Sequence, residues 1–569
     1  MIRKLLALSL STLLILSGCG QGIVSNPAGN GNANTTPPPA PPTPTTAQAA
    51  IKHVVVIFDE NISFDHYFGT YPNAANTGGT PFTAATGTPT NISNYVSNPT
   101  LLTANPNLTT GNGNSAANPF RLGPNQAATA DQDHNYGPEQ MAFDNGKMDL
   151  FPFSVGTANT TTLTNQTAAP GIANTTALTM GYFDGNTVTA MWNYAQHYSM
   201  NDHSFGTTFG ASTQGAINLI SGQTNGAIAS AGAASGVVAD GQGGFTLVGD
   251  EDPTNDVCSS PSATVQMTGK NIGDLLNTGG ISWGFFSGGF NLSVTNSNGT
   301  TGCLPNEATG SRATAAVNIP GNPLKSDYIP HHQPFQYYAS TANPNHNRPA
   351  SAAAIGTAAD TGASTANHQY DVLDFATVLA GTGGAVLPAV SFLKAPGFQD
   401  AHAGYSDPLD EQTFVVNTIN AIESSSYWSS TAIIIAYDDS DGWYDHLNNF
   451  FNGSQSAADA TGFCNKAPSL PGVKGTAPVQ GRCGYGPRLP LLVISPWAKK
   501  NFVDNTVTDQ SSITRFIEDV FLNSTRIGGG SSDAMAGSIM NMFNFTSTVA
   551  PNPNVVLLNP TTGAVTSGN

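Results

Sequence analysis

The chain has 569 residues, of which 39% are hydrophobic and only 9% charged, with 61 glycines and a formal net charge of −18. That acidic surplus argues against a nucleic-acid partner, because phosphate backbones are held by basic surfaces. It leaves room for a small phosphorylated substrate, since a bound cation and local donors can offset the charge around one site.

Arg3 and Lys4 precede an apolar run from Leu5 to Leu16, and Leu16-Ser17-Gly18-Cys19 closes the segment. This is the layout of a secretory signal over residues 1–18, too short to span a bilayer comfortably. Its ending resembles the bacterial lipobox, which implies lipidation of Cys19 and an exported lipoprotein anchored to the cell envelope. With Cys19 unlipidated, the same signal implies a secreted protein. Residues 19–48 are rich in Gly, Asn, Thr, Ala and Pro, and such a segment cannot bury a core. It reads as an extended tether carrying a large globular domain, expected over residues 49–548, with a polar tail over 549–569.

Within that domain four apolar segments read as buried strands: Val54–Phe58, Val386–Leu393, Ala432–Tyr437 and Leu489–Ile494. They run in Val, Ile and Leu without alternation, as central parallel strands covered on both faces do. Val188–Tyr198, Glu411–Ser424 and Ser511–Leu522 have helical spacing. The expected fold is therefore an α/β three-layer sandwich with a mostly parallel central sheet. The long polar stretches at about 70–180 and 225–370 are expected as large loop insertions over one end of it. Beyond Cys19 the cysteines are Cys258, Cys303, Cys464 and Cys483. An even number in an exported chain favours disulfides, and of three connectivities proximity favours Cys258–Cys303 with Cys464–Cys483.

Polar residues follow three of the strands. Val54–Phe58 runs into Asp59-Glu60-Asn61, Ala432–Tyr437 into Asp438-Asp439, and Val386–Leu393 leads to His402. In open α/β sheets ligands bind beyond the carboxyl ends of the strands. A carboxylate after a single strand is most simply a helix or turn cap; three such clusters point to one site.

The segment Ile51–Tyr71 contains Glu-Asn-x-Ser-Phe-Asp-His-Tyr-Phe-Gly, and resembles the opening motif of the bacterial phosphoesterase family of secreted acid phosphatases and phospholipases C. Further matches are Asp131-Gln-Asp-His134, Gly146–Asp149, Phe209–Gly215, His331-His332, Gly404–Pro408, Tyr437–His446 and Arg488–Ala498. The likeness covers about residues 51 to 548 and implies an alkaline-phosphatase-like fold. It also implies that Glu60, Asn61, Asp438 and Asp439 hold a divalent metal ion, an oxygen-rich set suited to a hard or borderline cation. Ser212 stands at the family's nucleophile, and metal coordination would activate its hydroxyl. His134, His331, His332 and His402 match pocket positions and are expected to donate to phosphate oxygens and protonate the leaving oxygen. His66 and His446 are expected to brace carboxylates, and Asp441 and Asp445 to support the turn.

Two departures stand out. Ile62 replaces a frequent arginine, and the nucleophile turn Gly-Ala-Ser-Thr-Gln-Gly lacks the prolines common in relatives. The implied activity is hydrolysis of phosphate monoesters through a phosphoserine, as in acid phosphatases. A phospholipase C-like phosphodiesterase acting on lipid head groups is the alternative. A surface binding protein with an inactive site is the alternative of another class.

Overall fold

The computed structural model describes residues 46–156, 176–230, 236–239, 244–305, 325–448, 484–546 and 549–567, apart from 551 and 554. The signal, Cys19, the tether up to residue 45 and the Cys464–Cys483 pair lie outside the described residues. Cys258 and Cys303 are joined in a disulfide, as their proximity in sequence suggests.

Eight strands form the main sheet: β1 (His53–Asp59), β2 (Ser199–Asn201), β3 (Trp283–Ser287), β4 (Gln369–Asp371), β5 (Val390–Lys394), β6 (Thr431–Tyr437), β7 (Leu491–Ile494) and β8 (Phe502–Asp504). The helices that matter below are α1 (Phe64–Phe68), α2 (Thr189–His197), α3 (Ser212–Ser221), α4 (Val372–Leu379), α5 (Pro408–Glu423) and α6 (Gln510–Phe521). The strand order is β4-β3-β5-β1-β6-β7-β2-β8. Every neighbouring pair is parallel except the two made by β7, which runs antiparallel to β6 and β2.

The mostly parallel α/β sheet is thus present, and Leu489–Ile494 needs one correction. It is a buried strand, but antiparallel to its neighbours. Burial on both faces selects the same unbroken apolar run whichever way a strand points. A second correction concerns Val386–Leu393: the strand begins only at Val390, and Val386 is exposed. The stretch from 225 to 370 is also more than loop, since it supplies β3 and β4 to the main sheet.

The sheet is dry in the middle. Val54, Val55, Val56 and Ile57 of β1 and Ile433, Ile434 and Ile435 of β6 have no exposed surface, and burying each such side chain contributes roughly 1.5–3 kcal/mol. The three expected helices are found as α2, α5 and α6, and their starts follow from local chemistry. Asp407 caps α5 by accepting from the backbone N–H groups of Leu409 and Asp410, ahead of Pro408 at the first helical position. Asp509 caps α6 in the same way through Ser512. The last residues are tied down: Leu557–Leu558 pairs with Val565–Ser567, Val556 N–H donates to Glu423 of α5, and Asn420 donates to Leu558 O.

A buried ionic knot holds the sheet's upper end. Arg488, fully buried just before β7, donates through Nε to Asp445 at 3.0 Å and through Nη2 to Asp65 of α1 at 2.9 Å. Its Nη1 donates to the carbonyls of Ser93 and Asp202, and the guanidinium lies 4.1 Å from the Phe64 ring centroid. His446 Nδ1 meets Asp65 Oδ2 at 2.6 Å, and the Asp65 backbone N–H donates to Asp445. Every nitrogen of the guanidinium donates to a protein oxygen, which is what a buried arginine requires. Replacing Arg488 by Met strands two buried carboxylates and should destabilise the fold by about 3–5 kcal/mol in urea unfolding. A loss below about 1 kcal/mol would show that the knot is incidental.

Candidate active site

β5, β1 and β6 end side by side, with Ile57 in register with Leu393 and Asp59 with Tyr437. Their next residues therefore emerge together. Asn61 turns into the left-handed region at φ 64, which asparagine tolerates better than most residues. That turn points its backbone N–H at Asp438 Oδ1, at 2.8 Å, and its side-chain oxygen at Ser212.

Ser212 is the first residue of α3. Its Oγ lies 3.0 Å from Glu60 Oε2, 3.3 Å from Asp439 Oδ2 and 3.5 Å from Asn61 Oδ1. Three devices seat it there. Gly215 faces the Asp438 backbone so closely that a Cβ would collide with it. Gln510 of α6 donates to Asp438 O at 2.8 Å. Glu139 accepts from the Gly210 N–H with one oxygen and from Ser440 Oγ with the other, clamping the nucleophile turn to the loop after β6.

Around this centre negative charge accumulates. Glu60, Asp438 and Asp439 are buried, as are Asp59 and Asp400 beside them. Burial, then the neighbouring Asp438 carboxylate, pushes the Glu60 carboxyl well above the usual range, and burial followed by Asp438 does the same to Asp439. Asp438 Oδ2 and both oxygens of Asp59 receive no hydrogen bond. A divalent ion among Glu60, Asn61, Asp438 and Asp439 would answer this arrangement, so the donor set fits a metal by charge and by ligand type.

The four histidines fall into different places. His332 is buried with Nδ1 at 3.2 Å from Glu60 Oε1 and at 3.8 Å from Asp400; burial holds it neutral, far below its ordinary value. His134 Nδ1 lies 3.2 Å from Asp441 Oδ1, and Asp441 Oδ1 accepts in turn from Asn61 Nδ2. Burial alone would lower His134, but the Asp439 charge and the contact with Asp441 raise it well above its ordinary value. The His402 ring stands 5.6 Å from that of His134 and stacks on Tyr405, and burial keeps it neutral. The His331 ring meets that of His332 edge-on, with centroids 4.6 Å apart. It turns to Asp252, 3.2 Å away, and lines a cavity of about 670 Å³ with Asp250, Asp252, Asn135 and Tyr136.

Several participants were not singled out from the sequence. Lys394, the last residue of β5, is buried with its ammonium against Glu60 Oε1. Burial would lower its pKa, but Glu60, Asp438 and Asp400 raise it. It supplies a cation beside a site where Ile62, buried and apolar, offers none. A lysine ending an apolar strand, one residue past Leu393, was the available signal. Asp441, expected to brace the turn, bonds directly to Asn61 and His134. His446 braces Asp65 as expected, whereas His66 bonds the Gly181 carbonyl and stacks on Trp443 at 4.0 Å.

Comparison with known proteins identifies the family. Residues 51–522 match the model of the phosphoesterase family. Curated relatives include the non-hemolytic phospholipases C of Pseudomonas aeruginosa, 32% identical over 24% of this chain and 20% of that protein, and of Burkholderia pseudomallei, 32% identical over 28% and 23%. Phospholipase C A of Mycobacterium tuberculosis is 26% identical over 28% of this chain and 30% of its own. These alignments span less than a third of each relative's length, whereas the family match runs from β1 through α6, and on that match the chain belongs to the phosphoesterase family.

Proposed function

We propose that the chain is a metal-dependent phosphoesterase that hydrolyses phosphate monoesters through a phosphoserine at Ser212. The observation that supports it most is the convergence of Ser212 Oγ on Glu60, Asn61 and Asp439 from three separate segments. A divalent ion held by Glu60, Asn61, Asp438 and Asp439 would lower the pKa of the serine hydroxyl and polarise a phosphoryl oxygen.

The chain's own groups account for the rest. Ser212 attacks phosphorus in line with the leaving oxygen, and its proton has an acceptor 3.0 Å away in Glu60 Oε2. Ser212 opens α3, ten residues long, so the positive end of the helix dipole lies beside its hydroxyl, although the Thr213 N–H is taken by Asp250. Lys394 and His332 hold the far oxygen of Glu60, so that Oε2 stays on the serine side. The leaving group departs towards the cavity bordered by His331. That cavity reaches the nucleophile turn through Asp250, which accepts from the N–H and hydroxyl of Thr213, the residue after Ser212. His331 is placed there to protonate the leaving oxygen. His134 and His402 face the centre from the Asn61 side. Water then attacks the phosphoserine and releases phosphate.

The second reading is a phospholipase C-like phosphodiesterase using the same groups, favoured by the likeness to three phospholipases C. Lipidation of Cys19 would set either enzyme on a tether at the cell envelope, with the membrane as its neighbour. Among the described residues no helix is long and apolar enough to cross a bilayer.

Hydrolysis of an aryl phosphate monoester, the matching diester and phosphatidylcholine separates these readings. Monoester turnover should fall by orders of magnitude in Ser212→Ala and after chelation, and return in the chelated wild type on adding divalent metal. Turnover confined to diester or lipid would move the function to phospholipase C. Full activity of Ser212→Ala would refute the mechanism, and no turnover on any substrate would favour a binding protein. His331→Ala should cost about 100-fold in kcat for an alkyl phosphate. The cost should be less for a nitrophenyl ester, whose leaving group needs no proton. Equal losses on both would show that His331 only shapes the cavity.

A further inference from the structure

Asp250, Glu251 and Asp252 are consecutive, and all three line the cavity beside the nucleophile turn. Each is committed to a different donor. Asp250 Oδ1 accepts from the N–H and hydroxyl of Thr213, and Glu251 Oε1 accepts from the Gly236 N–H. Asp252 divides its oxygens. Oδ2 accepts from the Ser260 N–H at 2.7 Å, and Oδ1 lies 3.2 Å from His331 Nδ1. The two side chains are only 14% and 19% exposed, a setting in which such a contact is stronger than on an open surface.

Asp252 is held in place from both sides along the chain. It sits in the short strand Asp252–Pro253, opposite Thr264 of the parallel strand Thr264–Met267. The Glu251 carbonyl before it accepts from the Tyr337 hydroxyl at 2.6 Å, and the Pro253 carbonyl after it accepts from Ser259 Oγ at 2.8 Å. The Cys258–Cys303 disulfide pins the loop that returns to Ser260. His331 is held from its own side. It is the middle residue of the turn Pro330–His332, whose last member is buried with Nδ1 3.2 Å from Glu60. With Nδ1 given to Asp252, Nε2 is the nitrogen that His331 offers to the cavity it lines.

We propose that Asp252 is a positioning residue for the reaction: it fixes His331 with a proton on Nδ1 and supports the imidazolium that protonates the leaving oxygen from Nε2. The inference rests on the phosphoesterase reading, in which His331 is that acid. As the bond from phosphorus to the leaving oxygen breaks, the Nε2 proton passes to that oxygen, and His331 becomes neutral with its Nδ1–H still on Asp252. The water that attacks the phosphoserine then gives a proton to Nε2, and the serine oxygen recovers the one it left on Glu60. Asp252 exchanges no proton in either step. The bond to Ser260 also decides what an amide would do at this position. In Asp252→Asn the carbonyl oxygen stays with the Ser260 N–H, and the NH2 group faces His331 Nδ1. A donor in that place opposes the imidazolium and leaves a weaker acid.

The test compares an alkyl phosphate with a nitrophenyl phosphate in wild type, Asp252→Asn, His331→Ala and the double variant. The corresponding pair of diesters replaces them if wild type turns over only diesters. Asp252→Asn should lower kcat on the alkyl ester by roughly 10- to 100-fold, with KM unchanged and a smaller loss on the nitrophenyl ester. The double variant should be no slower than His331→Ala, since the two groups act as one unit. An unchanged alkyl rate in Asp252→Asn, equal losses on its two esters, or losses that multiply in the double variant would overturn the role of Asp252 alone. Equal losses on both esters in His331→Ala would overturn the acid as well, and a wild type inactive on every ester would overturn the phosphoesterase reading itself. Should Asp252→Asn fold poorly, ring-nitrogen NMR of wild type reads the tautomer, with the His331 signals identified by their absence from His331→Ala. A neutral ring protonated on Nδ1 supports the proposal, and one protonated on Nε2 overturns it.

Discussion

Carboxylates crowded at the ends of β5, β1 and β6 are the constraint on which the site depends. Glu60, Asp438, Asp439, Asp59 and Asp400 are all buried within one region, and the lysine among them is Lys394. Left alone, such a cluster would take up protons or open to water, because a buried anion is stable only when paired. The chain instead spends its structure on keeping the groups together. Gly215 permits close approach of α3 to the Asp438 backbone, Gln510 ties that backbone to α6, and Glu139 joins the nucleophile turn to the loop after β6. The result is a cluster whose charge and ligand type suit a divalent cation, with the Ser212 hydroxyl held against it.

The knot around Arg488 is the counterweight. It binds α1, the Asp445-His446 turn and the start of β7 into one rigid rim. Its charges are paired within the protein, whereas around Ser212 Lys394 pairs with Glu60 and, among the described residues, no ion pair reaches Asp438 or Asp439. This contrast separates the ionic group that holds the fold from the ionic groups that await a ligand, although both are drawn from the same motifs. Asp445 lies only a few residues beyond Asp438 and Asp439, yet it serves the frame and they serve the site.

Much of this was legible in the residues, and the limits have physical causes. The cores of β1 and β6 are long runs of Val and Ile, and burial on both faces leaves few other assignments. The helices α2, α5 and α6 declared themselves by spacing, while the caps Asp407 and Asp509 set starts a few residues or one residue earlier than the spacing did. The direction of β7 did not, because its apolar run would look the same either way. The short strands Ser199–Asn201 and Phe502–Asp504 were missed, since three residues at a sheet's margin carry no periodicity. Ser212 and the residues expected to hold a metal lie in the motifs, whereas Lys394 and Glu139 belong to none of them. Their partners are distant in the chain, Lys394 lying 334 residues from Glu60 and Glu139 301 from Ser440, and only folding brings them together. His331 and His332, grouped because they are adjacent, stand ring to ring at 4.6 Å, while their Nδ1 atoms meet different carboxylates, Asp252 and Glu60.

The account's central claim is that Ser212 becomes covalently phosphorylated during turnover. Rapid acid quench of the metal-loaded enzyme with a phosphate-labelled monoester, followed by peptide mapping, tests it directly. The account predicts label on the peptide that carries Ser212, lost in Ser212→Ala and released as phosphate on the timescale of turnover. Steady turnover with no labelled serine, or label on another residue, would contradict it.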